Sequence, residues 1–137
     1  MAIFIHSEGV SIPNLNKSKI KSWIQKIIEI EGYVLGEVNI IFVNNEYLLN
    51  INKQFLSHDY YTDIITFDYC EDKKISGDLF LSIEMIEENA LKLKIPFLDE
   101  INRVVIHGAL HLMGFTDKTE SDTKIMRDKE DKCLKEY

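Results

Sequence analysis

TDIITFDYCEDKKISGDLFLS, residues 62–82, is the stretch on which the fold turns. Thr62-Asp63-Ile64-Ile65-Thr66-Phe67 is rich in β-branched and aromatic residues, and Gly77-Asp78-Leu79-Phe80-Leu81-Ser82 has the same character. Between them Glu71-Asp72-Lys73-Lys74 is a charged turn. Two strands joined this closely are most simply antiparallel. Ser82 can cap a helix over about residues 83–94, which Ile95-Pro96 ends, because proline disfavours helical backbone in the residue before it.

Upstream, Val38 to Val43 is another β-rich run, and Asn44 or Asn45 can cap a helix carrying Tyr47, Leu48, Ile51 and Phe55. Leu56 to Tyr61 then forms a loop holding His58 and Asp59. Before that, Ile3 to Ile5 opens the chain as a short strand. Asn14 or Asn16 caps a helix to about Glu31, with Ile20, Trp23, Ile24, Ile27 and Ile28 at helical spacing and Gly32 as its stop. The lysines at 17, 19, 21 and 26 fit a solvated face better than an RNA patch.

Downstream, a helix runs from about Leu98 to Met113, with Asp99 and Glu100 favouring its N-terminus. Thr119-Glu120-Ser121-Asp122 resembles a capping box and starts a last helix to about Lys135. No repeat or linker divides the chain. The expectation is one α+β domain over residues 1–137, with a small four-stranded mixed sheet packed with about five helices.

The composition sets bounds on function. With 45% hydrophobic and 28% charged residues, the chain is an ordinary globular one. Met-Ala-Ile-Phe-Ile-His-Ser-Glu has no basic segment and too short an apolar run for a signal peptide, so none is expected, and no run nears the ~20 apolar residues of a membrane span. Cys70 and Cys133 stand in no metal or redox spacing, as expected of reduced thiols in the cytoplasm. The net charge of −7 argues against broad RNA binding by counterion release, so any RNA contact should be local.

The chemistry concentrates in Val104 to Asp117, VVIHGALHLMGFTD. His107 and His111, four apart on a helix, stack on one face a turn apart. Gly114 can take the left-handed conformation that ends a helix, and the chain can return Asp117 to the same place. Two imidazoles and a carboxylate suit one metal ion at the end of the central helix, with a position left for water. The bland alternatives are an ordinary histidine pair and an Asp117 that only caps the following helix. A buried, unpartnered imidazole pair is costly, and a metal satisfies both rings at once. The spacing matches that of metzincin proteases, but Gly108 stands where their glutamate base would be, which argues against peptide hydrolysis by that route.

His107-Gly108-Ala109-Leu110-His111-Leu112-Met113-Gly114-Phe115 resembles the signature of the YbeY family of metal-dependent endoribonucleases and rRNA maturation factors. Residues 62–67 resemble that family's Thr-Asp-Val-Leu-Ser-Phe strand, and Gly77-Asp78-Leu79 its Gly-Asp-Ile strand. Asp117 stands where the family usually has a third histidine. Leu56 stands where it usually has an arginine associated with catalysis.

The resemblance implies an endoribonuclease that cuts single-stranded RNA in rRNA maturation, with ribosomal components as further partners and neither DNA nor membrane. One zinc ion, or another transition metal, would be held by His107, His111 and Asp117. Arg103, one turn before His107, could supply phosphate charge in place of Leu56, or form a structural bridge to Glu100 or Asp99. Asp63 and Asp78 invite proton-transfer roles, or merely hold strand ends; Asp63 is the better candidate to support a ligand imidazole. His58 is a loop residue or a substrate contact. The rivals are an assembly factor with a structural metal, a hydrolase of another bond, and a non-haem iron enzyme.

Overall fold

Ile20, Trp23, Ile24, Ile27 and Ile28 place one apolar stripe on α1 (Lys17–Ile30), and all five are buried. Asn16 caps that helix by accepting from the Lys19 N–H at 3.1 Å. The computed structural model describes residues 2–137. Around α1 lie β1 (Ala2–Ser7), β2 (Val34–Val43), α2 (Asn45–Leu56), β3 (Ile64–Asp68) and β4 (Lys74–Ser82). The chain continues through α3 (Ile83–Leu93), α4 (Phe97–Leu112) and α5 (Glu120–Lys135). The caps are local: Asn44 accepts from Tyr47 N–H, Ser82 from Met85 N–H and Thr119 from Asp122 N–H.

The four strands form one mixed sheet in the order β1-β2-β4-β3. β1 runs parallel to β2, and β2 parallel to β4, while β3 returns antiparallel to β4 as the short turn demands. Parallel neighbours need crossovers, and α1 and the α2–β3 segment provide them. Among the described residues, β2 begins four positions before the expected Val38. The extra length pairs Val34 and Leu35 with Lys74 and Ile75, across a register shift before Val38. That same pairing starts β4 at Lys74 rather than Gly77. Thr62 and Asp63 stand just ahead of β3 instead of inside it.

One face of the sheet carries the main core, where Val38, Ile40, Phe42, Leu79 and Leu81 meet α1 and α4. The other face is smaller, with Ile41, Val43 and Ile65 against Leu48 and Ile51 of α2. α4 reaches the sheet at Gly108. A Cβ there would stand 2.7 Å from Ile64 Cδ1 and 3.0 Å from Leu79 Cδ2. The missing side chain lets α4 close onto β3 and β4, which sets His107 and His111 beside the start of β3.

Candidate metal centre and its cleft

α4 is buried along Ile101, Val104, Val105, Ile106, Ala109, Leu110 and Leu112, while His107 and His111 lie at its half-buried edge. The helix ends at Met113, and Gly114 takes φ +96°. Phe115 N–H donates to Leu110 carbonyl at 3.1 Å and Gly114 N–H to His111 carbonyl at 3.0 Å, closing the last turn. The reversed chain brings Asp117 back over the two imidazoles. His107 Nε2 and His111 Nε2 are 2.9 Å apart, and Asp117 Oδ2 lies 3.5 and 3.7 Å from them.

These donors fit a transition metal. Ligands about 2.0–2.1 Å from a tetrahedral ion stand roughly 3.3 Å from one another, and the three separations here bracket that value. Each residue offers one ligand atom, all within 4.8 Å of one another. Asp117 does not cap α5, because Thr119 does.

Behind the pair is a residue the sequence reading missed. Glu130 of α5, only 4% exposed, faces His107 Nδ1 with Oε2 at 2.6 Å. Its other oxygen accepts from Arg103 Nη1 at 2.8 Å, and Arg103 Nη2 donates to Asp131 at 2.7 Å. The ion pair of Arg103 is therefore with α5, not with Asp99 or Glu100 on its own helix. The imidazole support expected of Asp63 comes from Glu130. A signal existed: Met126, Glu130 and Cys133 share one helical stripe, and all three are buried.

This arrangement sorts the protons. Burial disfavours a charged His107, but the hydrogen bond and charge of Glu130, with Asp117 and Asp63, outweigh it and lift His107 above its ordinary pKa. His111 is pushed down, by burial first and then by the charge of His107. His107 is therefore the more basic ring of the pair, with Glu130 against its Nδ1 and His111 against its Nε2.

Two hollows meet at this centre. The smaller, about 340 Å³ between α4 and α5, reaches Asp63, Glu100, Arg103 and Arg127. Burial raises the carboxyl of Asp63, against the opposing pull of His107, and burial also raises Glu100. The larger, about 680 Å³, opens on the other side between the histidines and the α2–β3 loop, with Leu56, His58, Tyr60 and Lys118 on its walls. Asp63 belongs to both. Asp78 belongs to neither: it accepts from Asn39 at 3.1 Å and lines a separate hollow with His6.

A family profile described as Endoribonuclease YbeY matches residues 5–137. The chain is 45% identical over 134 residues to a protein of Bacteroides thetaiotaomicron named Endoribonuclease YbeY, covering 98% of each chain. It is 47% identical over 114 residues to one of the same name from Flavobacterium psychrophilum, covering 83% of this chain and 81% of that one. A solution structure of a Thermotoga maritima protein superposes with a TM-score of 0.71 at 31% identity, over 98% of this chain and 87% of the other. With the ordered motifs and the histidine–aspartate centre, these matches assign the fold and its ancestry together: the chain belongs to the YbeY endoribonuclease family.

Proposed function

We propose that this chain is a zinc-dependent endoribonuclease that cuts single-stranded RNA, rRNA ends in particular, during ribosome maturation in the cytoplasm. The observation that carries it is the triangle of His107, His111 and Asp117 facing an open cleft, with Gly108 where a protease base would stand. Bound zinc supplies a water of lowered pKa and a positive charge against the phosphate.

The chain's own residues do the rest. Glu130 fixes the tautomer of His107, so that Nε2 faces the site. Arg103 holds Glu130 in place, and so contributes to the reaction through that contact. Asp63 lines the cleft beside His107, and burial raises its carboxyl, which suits it to exchange a proton with the departing ribose oxygen. Cys70 and Cys133 are free thiols pushed up to about 11, burial being the main cause, in keeping with a reducing compartment. No helix among the described residues is long and apolar enough to cross a membrane. The acidic net charge suits a substrate delivered within a ribosomal particle.

The test uses protein purified without added metal and an end-labelled single-stranded rRNA fragment. Internal cuts are expected, stopped by a chelator, restored by zinc and lost in the His107→Ala, His111→Ala double variant, with casein intact. Cutting that persists in the double variant, or clean hydrolysis of casein, overturns the proposal.

A further inference from the structure

The large cleft runs from the histidines to an aromatic pair that the metal chemistry does not use. His58 and Tyr60 stack with ring centroids 5.1 Å apart and planes 22° apart, and the Tyr60 hydroxyl bonds His58 Nδ1 at 3.0 Å. The pair is built into the loop. Ser57 ends α2 in the left-handed conformation, His58 N–H donates to Asn52 carbonyl at 3.1 Å, and Asn52 Nδ2 donates to Tyr60 carbonyl at 2.9 Å. Asn52 itself is buried, yet Tyr60 is 54% exposed, so a ring face is left open on a fixed backbone. Leu56 extends the apolar wall beside it.

Charge argues for the same occupant. Lys118 is the one lysine or arginine on the walls of this cleft among the described residues, against Asp63, Asp68 and Asp117. A nucleic acid cannot be held here mainly by its phosphates. Stacking on aromatic faces needs no such charge and is open to any unpaired base.

We infer that the His58–Tyr60 pair is a base-stacking subsite, which holds one unpaired nucleobase of the RNA and so sets the single-stranded substrate against the metal centre. The inference rests on the endoribonuclease function proposed above and adds a specificity-determining element to it. A base inside a duplex has its edge paired and both faces covered by its stacked neighbours, and cannot enter. Tyr60 contributes the stacking face. His58 positions Tyr60.

The experiment is equilibrium binding of labelled single-stranded RNA hexamers to the full-length, metal-stripped protein, so that cleavage plays no part. One hexamer carries all its bases, and six others each carry one abasic ribose. Tyr60→Ala should weaken binding of the full hexamer about tenfold or more, while Tyr60→Phe, which keeps the ring, should stay within a few-fold of wild type. One abasic position should weaken wild type by a similar factor and leave Tyr60→Ala unaffected. Wild-type affinity should fall less than about tenfold between 50 and 200 mM salt, as one or two phosphate contacts require. Wild-type affinity in Tyr60→Ala overturns the subsite, as does equal loss for all hexamers, or a steep salt dependence. Cutting by metal-loaded wild type is scored separately. Stacking-dependent binding without cutting would leave the subsite standing and remove the endoribonuclease assignment; cutting without that binding would do the reverse.

Discussion

Glu130 and His107, 23 positions apart in sequence, meet at 2.6 Å between the buried faces of α5 and α4. Glu130 spends its second oxygen on Arg103 at 2.8 Å, so one carboxylate ties the imidazole to a guanidinium. A carboxylate on the outer nitrogen of a ligand histidine orients the ring and raises its basicity. Glu130→Gln keeps the shape and removes the charge. It should weaken metal binding by about 10- to 100-fold, read by competition with a chelator of known affinity. Unchanged affinity would reduce Glu130 to a packing residue.

Metal binding should compete with protonation of His107. His107 is raised in the metal-free protein, so the affinity should climb about tenfold per pH unit below its raised pKa and flatten above it. The sign for stability follows from the same shift. A histidine raised on folding stabilises the metal-free protein fully below about 6.5, and that contribution is lost as pH rises through the folded value. Glu130→Gln removes one cause of the raise. Its stability deficit against wild type should be largest in mild acid and shrink towards alkaline pH, as thermal melts of both proteins across pH would show. A deficit that does not change with pH would refute the charge pairing.

Leu56 and Arg103 separate two sources of phosphate charge. Leu56 is 42% exposed on the wall of the cleft that His107 and His111 also line. Arg103 is already committed to Glu130 and Asp131. Leu56→Arg should therefore raise RNA cleavage above wild type. Arg103→Ala should take the guanidinium from one oxygen of the buried Glu130, leaving it His107 on the other, and cost about 3 kcal/mol of stability, together with metal affinity. An Arg103→Ala protein with normal melting and normal metal content, but no cutting, would instead make Arg103 a direct phosphate ligand.

The legible parts of the molecule are those whose causes lie within a few residues. Asn16, Asn44, Ser82 and Thr119 cap the helices that follow them because a side-chain oxygen three positions back reaches a free N–H. The histidine spacing and Gly114 are equally local. The placement of β4 between β2 and β3 is not, since only the closing of two crossovers selects it. Nor is Glu130, which sits in Asp128-Lys129-Glu130-Asp131-Lys132 and looks like part of a solvated charged run. Only its phase with Met126 and Cys133 marks it as inward-facing. For Arg103 the sequence offers a phosphate contact or a bridge to Asp99 or Glu100 on its own helix, whereas the packing of α5 on α4 supplies Glu130 and Asp131.

Asp117 decides whether the centre is a three-ligand site. Its carboxylate is 3.5 and 3.7 Å from the two imidazole nitrogens, and the cap of α5 is made by Thr119 without it. Asp117→Ala should consequently leave the start of α5 intact and cost little stability in the metal-free protein. Metal affinity should fall sharply, because one of three protein ligands is gone. Asp117→His keeps three ligands but changes their charge. A dipositive ion with two neutral imidazoles and one carboxylate carries a net charge of about +1, and with three imidazoles about +2. The more positive centre withdraws more electron density, so groups bound to it ionise at lower pH. If the longer imidazole reaches the ion, the alkaline-rising limb of the cleavage profile should move to lower pH by on the order of one unit. Metal titrations, metal-free melting curves and pH–rate profiles of the two variants supply the readouts. Wild-type metal affinity in Asp117→Ala would remove the aspartate from the ligand set and leave His107 and His111 as the only protein ligands at this site.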